Sequence, residues 1–252
     1  MATGRSPEQS RKVIEDFGIN TGFININGAL VFDANGKLQV KNPLPTAKAK
    51  QVADILDRHH IYYELVTSDL IFSKDISQRV VNLARALTAL NPRLSFKKAV
   101  ATAAGSNAML SMTYVDSFTD LLNDPKLEVM KIISFDGHGP EAFVEAKKEI
   151  MALGDVAVTS SSPANIEIND AKAQKGPALM EYAKKKGLKR EEVAAIGDNL
   201  NDESMIRDAG TGVAMGNAVP AIKKLAQVQT KTNDENGVAY ILKQFISENA
   251  KE

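Results

Sequence analysis

The sequence predicts an α/β protein with a parallel sheet, and three observations support this fold class. Short apolar runs at 193–196 and 212–215 have the length of buried strands. A helical pattern follows the first run and stops at Gly210. Polar residues stand directly after residue 196, and open α/β sheets bind their ligands beyond the carboxyl ends of the strands. We therefore expect the functional site near residue 198.

The composition is that of an ordinary globular protein and excludes several function classes. The chain has 252 residues, 44% of them hydrophobic, which is long enough for a substantial core. Lys and Arg total 31 and Asp and Glu total 31, so no basic excess supports nucleic-acid or membrane-surface binding. The absence of cysteine excludes disulfides and thiolate chemistry. We expect a cytoplasmic protein without nucleic-acid or membrane partners.

The first 40 residues predict one helix followed by strands. Residues 6–17 have the pattern of an amphipathic helix, with Ser6 as its N-cap. Residues 22–32 predict a β segment. Asn35-Gly36 then separates this segment from 37–40, and Asn-Gly between alternating strands predicts a hairpin.

The middle of the chain mixes helical and extended patterns and carries no specific chemical motif. His59, His60 and His138 lack carboxylates at the spacing of a zinc site, so we interpret them as surface residues. The predicted helices are 46–58, 75–90 and 140–153, and the predicted strands are 61–66, 69–72, 129–135 and the pair 156–158 with 166–168.

The last third of the chain predicts a regular series of helices and strands. Residues 171–186 form the first helix, and Lys175 stands near its start, where a lysine can reach an anion held at a helix N-terminus. After 193–196 and its helix, the series continues with strand 212–215, helix 218–226, strand 227–230 and helix 238–247.

Two carboxylates follow the strand at 193–196. Asp198 lies at the strand end, and Asp202 lies four residues later, where the helix dipole favours a carboxylate and where it can face Asp198. Carboxylate oxygens at a strand end form the kind of site that holds Mg²⁺. Helix capping by Asp198 or Asn199 explains the same residues equally well. The local pattern alone leaves both interpretations open.

Four short motifs occur in order along the chain. Residues 2–5 are Ala-Thr-Gly-Arg, residues 27–29 are Asn-Gly-Ala, Lys175 follows, and residues 197–202 are Gly-Asp-x-x-Asn-Asp. This ordered set resembles the haloacid dehalogenase (HAD) superfamily, specifically its Cof-type phosphatases. Residues 2–5 match the second motif of that family and 27–29 match the tripeptide that follows it, while Lys175 matches the third motif and 197–202 match the fourth. The resemblance spans nearly the whole chain.

The resemblance implies an HAD-like Rossmann-type core with an inserted α/β cap domain. The core would comprise 1–35 and 168–252, and the cap would comprise 36–167. The implied activity is Mg²⁺-dependent hydrolysis of small phosphorylated metabolites such as sugar phosphates, by a phosphoric monoester hydrolase.

The resemblance also implies roles for individual residues. Asp198 and Asp202 would form the metal site, with Asp202 orienting the metal shell or holding the lysine. Lys175 and Thr3 would be the catalytic residues that offset charge and donate to the phosphoryl group. The phosphate-binding set would be Thr3, Gly4, Asn27, Lys175 and Asn201.

The family's first motif, Asp-x-Asp-Gly-Thr, carries the nucleophile and belongs upstream of Thr3, where this sequence has only Met1 and Ala2. We therefore expect the chain as printed to bind a phosphate ester without turning it over. A misassigned or truncated start, a pseudo-enzyme that binds a phosphorylated ligand or partner, and an inert fragment remain alternatives. Loss of the first strand would also expose sheet edges, so we expect self-association through them.

Overall fold

The structure is a computed structural model that describes residues 1–15, 17–162 and 164–249. The chain divides into two compact units. Unit 1 contains Met1–Gly4, Asn20–Lys41 and the chain from Ala173 onward, and unit 2 contains Arg5–Ile19 and Asn42–Lys172. Most of unit 2 is therefore one segment that interrupts unit 1 in sequence. No helix in the described part of the chain is long and apolar enough to cross a membrane.

Helices and strands alternate along much of the chain. The helices are α1 Pro7–Glu15, α2 Thr46–Arg58, α3 Ile76–Leu90, α4 Phe96–Ala104, α5 Asn107–Leu110, α6 Phe118–Leu122, α7 Val144–Ala152, α8 Lys175–Lys185, α9 Glu203–Asp208, α10 Pro220–Leu225 and α11 Gly237–Asn249. The strands are β1 Phe23–Asn25, β2 Leu30–Phe32, β3 Leu38–Lys41, β4 Tyr63–Val66, β5 Ile71–Ser73, β6 Thr113–Tyr114, β7 Lys131–Phe135, β8 Val156–Thr159, β9 Asn165–Asp170, β10 Ala194–Gly197, β11 Thr211–Ala214 and β12 Val228–Gln229. The predicted α/β class is confirmed.

Unit 2 is built on a mixed sheet in the order β6-β5-β4-β7-β9-β8. One face of this sheet carries apolar residues such as Leu65, Ile132 and Ile168, which form a core with residues of α2 and α7. Because side chains alternate along a strand, Glu64 belongs to the opposite face. There Glu64 Oε1 lies 2.9 Å from Arg79 Nη1. Burial raises the pKa of Glu64, and the neighbouring Arg79 opposes that rise.

The described residues of unit 1 form two three-stranded sheets. The first is an antiparallel meander in the order β1-β2-β3, and the second is parallel in the order β10-β11-β12. Residues of α8, α9 and α10 pack with β10 and β11 in one apolar cluster, whose most buried members include Ile206 and Ile222. This packing places the carboxyl end of β10 beside α9, the helix that follows it, and beside α8.

The structure corrects three details of the sequence prediction. The β segment predicted at 22–32 reverses direction at Ile26–Gly28, because Asn27 and Gly28 take positive φ angles of 59° and 106°. Helix α8 begins at Lys175 rather than at residue 171. Helices α4, α5 and α6 lie in a stretch where no element was predicted.

Candidate functional site

Lys175 and Asp202 form a buried ion pair in unit 1. The Nζ atom of Lys175 lies 2.6 Å from Oδ1 of Asp202, and each residue is only 5% exposed. Lys175 is the first residue of α8, and Asp202 immediately precedes α9. A buried lysine needs a close counter-charge, because the cost of removing an ammonium group from water is otherwise prohibitive. The pair therefore ties the starts of two helices together.

The second oxygen of Asp202 holds the backbone at the end of β10. Oδ2 accepts hydrogen bonds from the backbone N–H groups of Asp198, at 2.9 Å, and Asn199, at 3.2 Å. Both oxygens of Asp202 are thus engaged by donors of this chain. The capping interpretation is correct for Asn199, whose side chain accepts from the N–H of Leu200 at the start of the short 3-10 turn Leu200–Asp202.

Asp198 presents an exposed carboxylate at the carboxyl end of β10. Its Oδ2 accepts a hydrogen bond from Nδ2 of Asn217 at 3.4 Å. Partial burial raises the pKa of the Asp198 carboxyl, and the negative charge of Asp202 raises it further, whereas Lys175 acts in the opposite direction. A carboxylate in this position gains from a nearby cation, because a positive charge favours its ionised form.

The donor set fits a magnesium ion that shares its coordination with other oxygens. Within residues 1–15, 17–162 and 164–249, no group of three or more His, Cys, Asp or Glu could hold a metal alone. Mg²⁺ commonly binds through one or two carboxylates and completes its shell with water and substrate phosphate. Asp198 is suited to be such a ligand, whereas Asp202 is occupied by Lys175 and two backbone N–H groups.

The turn Ile26–Gly28 brings a second group of predicted residues to the start of α8. Nδ2 of Asn201 lies 3.4 Å from Oδ1 of Asn27, and the N–H of Asn27 donates to the carbonyl of Thr3 at 3.1 Å. A Cβ atom at Gly28 would lie 2.5 Å from the carbonyl oxygen of Gln174, the residue before Lys175. Only glycine permits this approach of the turn to α8.

Thr3 has the structural support that its predicted role requires. Its N–H donates to the carbonyl of Ile24 at 2.8 Å, and Ala2 forms a parallel β-bridge with Ile24. Strand β1 thus holds this segment. Gly4 follows as the last residue of the first segment of unit 1.

Asn217 had no predicted role, although the structure places its side chain against Asp198. Asn217 lies in the turn that follows β11. The feature of the sequence that could have identified Asn217 is its position after a parallel strand next to β10. The carboxyl ends of neighbouring parallel strands meet at one edge of the sheet, where ligands bind.

The fold and the site together define an α/β protein with a lysine–aspartate pair and an exposed carboxylate at the carboxyl end of a parallel strand. The family profile of the haloacid dehalogenase-like hydrolases matches residues 1–242. The chain belongs to this family, and its predicted HAD-like Rossmann-type fold is confirmed.

Relatives of known name are similar along almost the whole chain. Phosphatase YwpJ of Bacillus subtilis is 33% identical over 249 residues, which are 98% of this chain and 87% of that protein. The 5-amino-6-(5-phospho-D-ribitylamino)uracil phosphatase YwtE of Bacillus subtilis is 30% identical over 251 residues, 98% of this chain and 85% of that protein. The solved structure of a haloacid dehalogenase-like hydrolase from B. subtilis superposes with a TM-score of 0.82 at 32% identity, covering 96% of this chain and 85% of that one.

Proposed function

We propose that unit 1 carries the phosphate site of a Mg²⁺-dependent phosphatase that acts on small phosphorylated metabolites. The observation that carries this proposal is the buried Lys175–Asp202 pair beside the exposed carboxylate of Asp198. Two relatives that align with 98% of the chain are named as phosphatases, and one name specifies a phosphorylated ribityl compound. A small phosphate monoester, such as a sugar phosphate, is the substrate class that this similarity supports.

Each residue has a distinct part in the proposed site. A bound Mg²⁺ would neutralise phosphate charge. Asp198 would supply an oxygen ligand to that ion, while Asp202 holds Lys175 and the backbone of Asp198 in place. Lys175 would balance the remaining charge of the phosphoryl group, because phosphoryl transfer depends mainly on positioning and charge neutralisation.

Hydrogen-bond donors would complete the phosphate site. The amide of Asn201 and the hydroxyl of Thr3 are the proposed side-chain donors, with Gly4 contributing backbone. Asn27 contacts Asn201 and the backbone of Thr3, so it connects these two donors. We further propose that unit 2, which interrupts unit 1 in sequence, acts as the cap that selects the organic part of the substrate.

The 252-residue polypeptide should bind phosphate with Mg²⁺ but should not hydrolyse an aryl phosphate. None of the residues assigned to the site is the nucleophile of the family reaction. The proposed phosphate ligands are hydrogen-bond donors, and Asp198 is assigned to the metal. Both oxygens of Asp202 already accept hydrogen bonds from Lys175 and from backbone N–H groups. The test measures Mg²⁺-dependent release of p-nitrophenol from p-nitrophenyl phosphate, together with calorimetric titration of inorganic phosphate at saturating Mg²⁺.

We expect measurable phosphate binding that is weakened about tenfold or more in Asn201→Ala, because a hydrogen bond to a charged group contributes roughly 1.5–3 kcal/mol. The matched control is Lys184→Met, which changes an exposed lysine on α8. Absence of phosphate binding in the unsubstituted chain would overturn the proposed site. Significant turnover would overturn the claim of inactivity and leave the site assignment standing.

We also propose that this polypeptide self-associates through the edge of the parallel sheet. Strand β10 pairs with β11 on one side, and among the described residues it is the terminal strand of its sheet. The N–H groups of Thr211 and Met215 donate to the carbonyls of Val193 and Gly197. The residues of β10 that alternate with these bonded ones direct their N–H and C=O groups away from β11, to the other edge of the strand. An open edge of this kind pairs readily with another chain.

Size-exclusion chromatography with light scattering tests this association. We expect dimers or larger species whose fraction rises with concentration and falls in Ala194→Lys, because an edge lysine opposes strand pairing. Ala194 is exposed, and the control Ala101→Lys changes another exposed alanine, on α4. A monomer at all concentrations would contradict the proposal.

A further inference from the structure

The loop after β11 contacts both the backbone and the side chain of Asp198. The N–H of Val219 donates to the carbonyl of Asp198 at 2.9 Å. Nδ2 of Asn217, two residues earlier, donates to the carboxylate of Asp198 at 3.4 Å. The loop that follows β11 therefore holds both the carboxylate and the backbone of Asp198.

The orientation of the Asn217 amide is determined by a third segment. The backbone N–H of Asn233 donates to Oδ1 of Asn217 at 3.0 Å. A backbone N–H can only donate, so the amide atom facing Asn233 must be the oxygen. The nitrogen must then point towards Asp198, and the amide cannot rotate without losing both bonds.

The loop that supplies the Asn233 N–H is itself closed by internal bonds. The backbone N–H and the hydroxyl of Thr232 both donate to Oε2 of Glu235, and these bonds lower the pKa of Glu235. The N–H of Gly237 donates to the carbonyl of Thr232 at 2.9 Å, and the N–H of Gly216 donates to the carbonyl of Lys231 at 3.0 Å. This loop is therefore tied to the stretch that carries Asn217.

We propose that Asn217 is a positioning residue that orients the Asp198 carboxylate towards the metal, with the backbone of Asn233 as its support. This inference rests on the proposed metal site at Asp198. It adds two supports to that site. The side chain of Asn217 holds Asp198 at the strand end, and the loop around Asn233 holds the side chain of Asn217. Partners that orient a metal ligand typically change metal affinity 10–100-fold when they are removed.

The test measures binding of Mn²⁺, as the probe for Mg²⁺, to the 252-residue chain by electron paramagnetic resonance of the free ion. We expect the Kd of Asn217→Ala to rise about tenfold. The matched control is Asn233→Ala, which keeps the backbone N–H and should bind as the unsubstituted chain does. Because Asn217 is exposed, its replacement should leave the Tm of the metal-free protein within about 2 °C.

Asp198→Asn separates failure of this inference from failure of the proposed metal site. Unchanged Mn²⁺ binding in Asp198→Asn would overturn the metal site and the inference with it. Loss of binding in Asp198→Asn together with an unchanged Kd in Asn217→Ala would overturn the positioning role alone. An equal loss in Asn217→Ala and Asn233→Ala, or a large fall in the metal-free Tm of Asn217→Ala, would show a general loop effect and also overturn it.

Discussion

Lys175→Met should lower the free energy of unfolding by about 3–5 kcal/mol, because it leaves the carboxylate of Asp202 buried without its counter-charge. The pair is separated by 2.6 Å, and neither partner is more than 5% exposed. Methionine keeps a similar length and flexibility at this position, so the change removes the charge with little loss of packing. Urea denaturation in the absence of metal measures the effect.

Two further variants show whether the effect belongs to the charge pair. Lys184→Met changes an exposed lysine on the same helix and should stay within about 0.5 kcal/mol of the unsubstituted chain. Lys175→Met combined with Asp202→Asn removes the unpaired charge and keeps an oxygen for the backbone N–H groups of Asp198 and Asn199. We expect this double variant to recover much of the loss. A Lys175→Met protein as stable as the unsubstituted chain would refute the buried-pair argument.

Gly197→Ala should destabilise the protein by about 1–3 kcal/mol and should weaken Mn²⁺ binding as well. A Cβ atom at Gly197 would lie 2.5 Å from Cβ and 2.7 Å from Cγ of Asp202, which is closer than non-bonded carbon atoms approach. Either Asp202 or the end of β10 must move. Such a movement strains the bond between Oδ2 of Asp202 and the N–H of Asp198, and it displaces the carboxylate of Asp198 as well.

Gly105→Ala is the matched control for this substitution. Gly105 follows α4 in unit 2, its φ is −91°, and its nearest contact to a new Cβ would be the carbonyl oxygen of Ala101 at 3.8 Å. We expect its stability to change by less than about 0.5 kcal/mol. Thermal unfolding and Mn²⁺ titration of both variants check the prediction, and a Gly197→Ala protein with unchanged Tm and Kd would contradict it.

Much of the fold could be predicted because its signals are local. Helix α3 begins after Asp75, whose side chain accepts from the N–H of Gln78 as an N-cap should, and the predicted start at residue 75 agrees with this. The hairpin between β2 and β3 was correctly predicted from Asn35-Gly36. The reversal at Asn27-Gly28 carries the same dipeptide, but it lies within an apolar run, which favoured the prediction of a continuous strand.

The candidate site was harder to predict in detail, because its contacts join residues that are distant in sequence. The spacing of Asp198 and Asp202 left metal binding and helix capping open, and the family resemblance implied a metal site in which Asp202 either orients the metal shell or holds Lys175. In the structure, one oxygen of Asp202 accepts from Lys175 and the other accepts from two backbone N–H groups. The Asp198 carboxylate is exposed instead, so the two carboxylates differ in their surroundings. No spacing rule distinguishes them, since the difference arises from where α8 packs.

The sequence by itself determined the α/β class, the membership of the HAD family and the residue types at the end of β10, because strand patterning and ordered motifs are properties of the linear chain. Only the tertiary structure decided which atoms meet: Lys175 with Asp202, Asn27 with Asn201, and Asn217 with Asp198. The physical reason is that a hydrogen bond acts over about 3 Å. Its partners are therefore selected by the packing of helices and strands, which brings together segments up to 174 residues apart.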